Sequence, residues 1–466
     1  VSCELMLMLD STITNVALPE IGAGLKFTPA GLSWVANSFL LAFGGLLLLG
    51  GRIGDILGRR RVFLIGVAAF TVASLLAGLA QNPGWLVAAR ALQGVGAALA
   101  GPSTLALLAT NFQGERQTRA LSTYSAVTAS AMTLGLILGG IITTAFSWRW
   151  VLLINVPIGI LVLLLGPKHV AESPRHTGRF DVAGAATSAI GLVAVVFALA
   201  RTADHGWGDA ATIAILVAGA ILLAVFVLIE RRAEQPILPL SLFADRTRVA
   251  GFANMLLVPM VTMSFQFLII QFLQLVLDYS ALQAGLAFLP MAAGLLITSR
   301  LATKALAKFG AKPTALTGLL LLTAAAGWLT AISEHTSYFG GIFGPTLLVG
   351  LALGLIIVPI NVAIMSTVDP ADAGAAAGVL QTTMMTGSAL GIGILSAIYA
   401  NTVDSQSAVS ISDDLVAHGM RNGFIAATIF AVAALLITLV ILKAPATPDP
   451  AETETEAAED EAATPP

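Results

Sequence analysis

Charge is what this 466-residue chain has least of: 11% of its residues are Asp, Glu, Lys or Arg, against 57% hydrophobic. A soluble globular chain carries about 25% charged residues, so there is too little polar surface to face water. The mean hydropathy of +0.90 directs the exterior toward lipid. A length of 466 would accommodate two or three soluble domains, but no hydrophilic stretch of that size occurs. The one cysteine, Cys3, excludes a disulfide framework and any site built on several thiolates. His169, His176, His205, His335 and His418 all fall in polar connectors, so no histidine cluster lies inside an apolar segment. A membrane-embedded enzyme would need clustered His, Asp or Glu near one membrane face, and none is visible. Neither a metal nor a cofactor is expected, nor a nucleic-acid partner, nor enzymatic activity.

What the chain does have is long apolar runs. A spanning helix needs about 20 mostly apolar residues. Segments of that kind recur at 1–20, 32–51, 62–80, 85–110, 121–145, 149–166, 182–201, 210–229, 248–275, 282–306, 312–332, 342–366, 374–402 and 422–442. That makes fourteen, separated by glycine, proline and charge. Lys and Arg set the orientation of such a chain. With the N-terminus inside, eighteen of them fall in inner loops, and Lys26, Arg149, Arg201 and Arg421 in outer ones. Arg90 is left within a span. Both termini are therefore expected in the cytoplasm, as an even number of spans requires, and the chain in the cytoplasmic membrane.

The net charge of −3 hides a basic body. Seven acids sit in the terminal stretch TPDPAETETEAAEDEAATPP, and without them the balance is +4. That stretch has nothing to bury and is expected to be a disordered acidic tail over 444–466. An internal repeat lies in the body: GGRIGDILGRRR follows the second span and SRLATKALAKFGAK the tenth. Aligning Arg52 with Arg300 puts Thr303 where Asp55 stands, so the second copy keeps basic charge and loses the acid. The copies lie eight spans apart, which predicts two six-span halves, 1–166 and 236–443, with a linker and two inserted spans over 167–235. Repeated halves are common in transporters.

GGRIGDILGRRR resembles the cytoplasmic loop motif of the major facilitator superfamily, G-x-x-x-D-x-x-G-R-[RK], with Gly51, Arg52, Asp55, Gly58, Arg59 and Arg60. Glycines there permit a tight turn and close helix approach. Asp55 is suited to cap a helix or pair with arginine, so the resemblance implies a latch between conformations; the plainer reading is a basic anchor at the inner face. RALQGVGAALAGP is similar to the superfamily's R-x-x-Q-G-x-G-A-A motif. Arg90 is either a functional intramembrane charge or a side chain snorkelling outward near Trp85, and Gly94 and Gly96 suit close helix packing on both readings. In Gly135-Leu136-Ile137-Leu138-Gly139-Gly140 the glycines of the G-P-x-x-G-G antiporter motif are in place. Leu136 replaces its proline, removing the kink and freed carbonyl that proline would give. LDSTITNVALP, SWRWVLLINVPIG and FLQLVLDYSALQAGLAFLP resemble signatures of the fourteen-span drug:proton antiporters of the same superfamily. The resemblance covers the chain up to the acidic tail. It implies an all-α membrane protein with the major facilitator fold: two six-helix bundles, two extra helices between them, fourteen transmembrane helices, acting as a monomer.

Proton-driven export needs a group that titrates as its access alternates. Asp10 is a carboxylate with apolar flanks, and burial penalises its charged form. Glu4 lies six residues earlier, some 120° around the helix. Spans 9 to 14 hold no acid in their cores, so proton coupling, if present, belongs to the first half. Arg90 would then act by approaching Asp10 when it is ionised, although the two depths, counted along the helices, do not match. The plainer alternative for Asp10 is a hydrogen bond to Thr12 or a neighbouring helix. Only nine residues precede Asp10 and the first is Val: if further residues come before Val1, Glu4 lies within the membrane, and as given it lies at a frayed helix end.

A substrate site is expected near the midplane between halves. Candidates are Asn15, Asn37, Gln93, Gln266, Gln271, Asn361, Gln381, Met384 and Met385, because methionine and amide surfaces adapt to varied apolar ligands. For most of them, helix packing is the competing role. The expected function is proton-coupled efflux of lipophilic drugs or antibiotics, with the substrate, protons and membrane lipids as partners. The alternatives are export of one lipid or native metabolite, and a non-transporting membrane sensor.

Overall fold

The computed structural model describes residues 2–111, 131, 134–170, 181–206, 208–233, 236, 238, 240–368, 373–404 and 413–442. The acidic tail and the first part of the fifth apolar segment lie outside the described residues. Helices run α1 Ser2–Leu25, α2 Pro29–Leu57, α3 Arg59–Gly78, α4 Pro83–Asn111, α5 Leu134–Ala145, α6 Trp148–Leu153, α7 Asn155–His169, α8 Val182–His205 and α9 Ala210–Glu230. They continue as α10 Arg246–Leu275, α11 Ala281–Leu286, α12 Leu289–Phe309, α13 Ala311–Leu329, α14 Phe343–Met365, α15 Ala373–Asp404 and α16 Asp413–Val440. No strand occurs among the described residues. Eight helical stretches of the described residues are long and apolar enough to cross a membrane.

Their exteriors suit lipid. Leu164, Ile221, Ile429 and Leu436 are more than half exposed, and apolar surface on that scale is covered in a stable protein. Burial sorts the helices: only 17% of α9's apolar window is buried, against 83% for α10. α9 is peripheral and α10 central. α8 packs on α9 and also lies on both α2 and α15, so this pair covers one side of the α2–α15 seam.

Packing between helices rests on glycine, since apolar burial gives no preference for a helix over lipid. A Cβ on Gly94 would lie 2.5 Å from the Phe39 carbonyl on α2, and one on Gly96 would lie 2.6 Å from the Phe70 nitrogen on α3. Two residues apart means about 200° around a helix, so α4 docks α2 on one face and α3 on the other. The α5 glycines face two partners. Gly135 and Gly139 meet Thr12 and Ile13 of α1, and a Cβ on Gly140 would lie 2.5 Å from Leu282 Cα of α11. The Leu136 carbonyl in turn abuts Gly285 of α11. α5 and α11 thus join helices from the two ends of the chain, as do Gln274 Nε2 donating to the Val16 carbonyl at 3.0 Å and Gly44 packed on Met385.

Of the turns that require glycine, two join one helix directly to the next. Gly58, φ 103°, closes α2 by donating to the Gly54 carbonyl at 3.0 Å and starts α3. Gly310, φ 80°, does the same between α12 and α13, donating to the Leu306 carbonyl at 2.9 Å. These turns correct the repeat register. Pairing Gly58 with Gly310 shifts the alignment by four residues, one helical turn, and puts Ala307 opposite Asp55; the acid is still missing from the second copy. A residue with a Cβ at such a φ is strained by about 1–3 kcal/mol. Gly58→Ala is therefore expected to lower the thermal midpoint of the purified protein measurably, and an unchanged midpoint would refute the turn's dependence on glycine.

Candidate functional site

Asp10 lies in the middle of α1 and is 0% exposed. Three other helices contribute to its surroundings. From α4, Arg90 Nη1 donates to Asp10 Oδ2 as a buried ion pair, and Gln93 Nε2 donates to Oδ1 at 3.1 Å. From the first residue of α7, Asn155 Nδ2 donates to the same Oδ1 at 2.7 Å. From α3, Ser74 Oγ accepts a second bond from Gln93 Nε2 at 2.7 Å.

Local sequence explains each placement. Arg90 and Gln93 are three apart and share one face of α4, and Arg90 Nη1 also donates to Gln93 Oε1 at 2.9 Å. Asn155 is delivered by a helix break: Pro157 has no N–H for the carbonyl four residues before it, Leu153, where α6 ends. Arg90 is held from the opposite side. Its Nε donates to the Val35 carbonyl of α2 at 2.9 Å, and its guanidinium carbon stacks 4.6 Å from the centre of the Phe39 ring. A buried charge is tolerated only when paired and hydrogen-bonded, and both members meet that condition. Arg90 is 1% exposed and does not snorkel. Counting residues from segment ends assumes parallel helices starting at one level. The direct contact of Asp10 and Arg90 removes the depth mismatch, because tilted helices bring different residue counts to the same level.

Asn155 and Ser74 were missed from sequence. Asn155 sits inside the motif SWRWVLLINVPIG, and an amide just before a proline in an apolar run was the available signal. Glu4, in the first turn of α1, is 5% exposed and is therefore not a frayed terminal group; it is not among the groups that bond Asp10.

Gln93 belongs to the carboxylate network and not to an open cavity. The remaining cavity candidates are dispersed. Asn15 is buried on α1, and Gln271 donates to the Phe267 carbonyl of its own helix at 3.3 Å. Gln266 donates to Met291 Sδ at 3.8 Å. Asn37 is 0% exposed and faces Gly393 across the α2–α15 seam, with neither amide atom hydrogen-bonded among the described residues. Asn361, Gln381, Met384 and Met385 are half-buried.

The predicted inner loop is helical through Leu57 and turns only at Gly58, because glycine at positive φ is what ends α2; beside this turn Arg60 Nη2 donates to the Pro167 carbonyl at 2.7 Å. A cation is favoured there, at the C-terminal end of α7. Gly51 and Gly54 lie against Pro102 and Ser103 of α4, and Arg52 and Arg59 are half-buried. The side chain of Asp55 lies outside the described residues. Among those residues no cluster of His, Cys, Asp and Glu could hold a metal.

Comparisons with known proteins agree with this architecture. The Major Facilitator Superfamily profile matches residues 1–392. The cephamycin export protein CmcT of Amycolatopsis lactamdurans is 38% identical over 446 residues, covering 94% of this chain and 90% of that protein. The puromycin resistance protein pur8 of Streptomyces alboniger is 38% identical over 450 residues, covering 94% and 88%. Among solved structures, a bacterial homolog of the human lysosomal transporter Spinster, inward-facing and unoccupied, superposes with a TM-score of 0.65 at 15% identity, covering 96% of this chain and 98% of that one. The nucleoside transporter NupG gives 0.61 at 13% identity, covering 95% and 99%. At those identities the structural likeness concerns the fold.

Proposed function

The chain belongs to the Major Facilitator Superfamily, and from that premise we propose that it exports lipophilic drugs or antibiotics across the cytoplasmic membrane, driven by protons that load and leave Asp10. The carrying observation is the buried network itself: one carboxylate, one arginine and two amides, all nearly unexposed in the first half of the chain. The export and resistance proteins related to this chain support the substrate class.

In this reading the ionised carboxylate holds α1, α4 and α7 together through Arg90, Gln93 and Asn155. A proton entering from outside neutralises Asp10, ends the ion pair and loosens the three helices from one another. The differential bonding of the two protonation states is what a proton needs to shift the conformational equilibrium. Contacts between the halves, α5 on α11 and Gln274 on Val16, would open and close with it, and the Gly51–Arg60 segment, the end of α2 with its turn at Gly58, would latch the inner side. Fourteen crossings, two six-helix bundles with α8 and α9 between them, and cytoplasmic termini complete the proposed topology. The absence of acids from the cores of the last six apolar segments favours neutral or monovalent lipophilic substrates over divalent cations.

The test is uptake by proteoliposomes carrying the protein, with an imposed pH gradient and a panel of labelled lipophilic antibiotics and lipids. Gradient-dependent antibiotic transport supports the proposal. Transport of lipids alone would favour the lipid exporter, and no transport would favour the sensor. Asn155→Ala provides a finer check. It leaves Asp10 Oδ1 one donor short, at a cost of about 1–3 kcal/mol if the ionised form stays buried. Transport is expected to fall by roughly tenfold, with smaller effect from Asn155→Gln. Equal activity in both variants would remove Asn155 from the site.

A further inference from the structure

Helices α2 and α15, from opposite ends of the chain, meet in close contact: a Cβ on Gly44 would lie 2.7 Å from Met385 Cβ. One polar side chain is shut inside this seam. Asn37 of α2 is 0% exposed. A Cβ on Gly393 of α15 would lie 3.6 Å from its Nδ2 and 3.5 Å from Val196 Cγ1 of α8. Val196 is itself buried, and the next residue, Phe197, packs its ring 5.6 Å from that of Trp34 on α2. Three helices therefore enclose Asn37, and neither lipid nor water reaches it. It lies about 12 Å along α2 from the start at Pro29, in the outer half with the orientation proposed above.

An asparagine amide carries two donor hydrogens and an acceptor oxygen. Neither Nδ2 nor Oδ1 of Asn37 has a hydrogen-bond partner, and no other described side chain holds two such buried atoms. The amides of Gln93, Asn155 and Asn254, also 0% exposed, each make at least one bond. Hydroxyls beside Asn37 are committed elsewhere. Ser38 Oγ donates to the Trp34 carbonyl at 2.7 Å, and Ser396 Oγ to the Gly393 carbonyl at 3.2 Å. A buried polar group without a partner costs free energy. In a membrane little offsets that cost, because apolar surface gains almost nothing by leaving lipid for another helix. Opening the seam lets water reach the amide and removes the cost.

We propose that Asn37 poises the α2–α15 seam to open: its unsatisfied amide disfavours the closed arrangement and keeps an open one populated beside it. A conformational equilibrium shifts only through something that differs between its two states, and here the difference is the solvation of one amide. Gly393 fits the role, since it brings no side chain that could supply the missing partner. Asn37 thereby belongs to the conformational balance and not to the substrate cavity. The inference rests on the export reading only in taking the seam to open. Its test reads opening directly, with neither a pH gradient nor a substrate.

The full chain in lipid nanodiscs carries spin labels at Ala23→Cys on α1 and His418→Cys on α16, both exposed, with Cys3→Ala removing the one other thiol. Double electron–electron resonance at fixed pH then reads the separation of the outer ends. Two separations are expected. Asn37→Leu, similar in size and apolar, is expected to raise the ratio of the shorter to the longer about tenfold, the worth of one unsatisfied buried group. It is also expected to raise the thermal midpoint. Gly393→Ser works by the opposite chemistry, giving the amide a hydroxyl partner while Asn37 stays, and is expected to shift the ratio the same way. A single short separation in the unaltered protein overturns the inference. So do an unchanged ratio or a lower midpoint in Asn37→Leu, or opposite shifts in the two variants. Both shifts present without export by proteoliposomes would count against the export reading and leave the role of Asn37 standing.

Discussion

Asp10→Asn is expected to abolish proton-driven export in proteoliposomes and drug resistance in cells expressing the protein, while the purified variant remains folded. Asparagine is nearly isosteric with aspartate and cannot take up or release a proton. The neutral form of Asp10 is, on the proposed mechanism, visited in every cycle, so a neutral mimic is compatible with the fold. Arg90 keeps three supports without the carboxylate's charge: the Val35 carbonyl, Gln93 Oε1 and the Phe39 ring. Loss of coupling is therefore expected without loss of structure. Substrate exchange with no pH gradient should survive in the variant, because that exchange requires no net proton movement. Full gradient-driven accumulation by Asp10→Asn would end the assignment of Asp10 as the coupling group.

Arg90→Leu is expected to be worse tolerated than Asp10→Asn. It removes the cation and leaves a carboxylate that is 0% exposed with only the Gln93 and Asn155 amides as donors. Removing one member of a buried ion pair costs about 3–5 kcal/mol, and the released carboxylate would have to be neutralised to stay buried. Expression and thermal midpoint should both fall. The double variant Asp10→Asn/Arg90→Leu is expected to recover most of the stability and none of the coupling, since it leaves no unpaired charge inside. Additive losses in the double variant would show that the two residues do not interact in the folded protein.

Asp10 and Arg90 were legible in the sequence because a charge within an apolar run is rare and costly, so each stood out without any partner in view. Their contact was harder to foresee. They lie 80 residues apart, and counting along straight helices set them at different depths. Gln93 reads in the sequence as an amide within a span, suited to a substrate cavity; only its packing shows it bonded to Arg90, Asp10 and Ser74. Asn155 does not stand out in the sequence, for a related reason. An amide carries no charge penalty to mark it, and its importance follows from a helix break that aims it at α1.

The glycines show the same division. Their positions in α4 and α5 announced close approach, but not to which helix. Gly94 and Gly96 turn out to serve two different neighbours, and Gly140 reaches across to α11. In the repeat, the residue types suggested one alignment and the turn glycines another, one helical turn away, because basic residues recur more loosely than a backbone conformation that only glycine adopts without strain.

By itself the sequence determined that this is a helical membrane protein and which residues carry charge within its apolar segments. Those properties follow from composition and period, which act locally: a run of apolar residues enters lipid, a buried charge is costly, a glycine permits a turn. Tertiary structure alone decided which donors share Asp10, which helices the glycines join, and that α8 lies over the contact of α2 with α15. Each of those depends on tilt, rotation and contact between segments far apart in the chain, and no local free-energy preference encodes them.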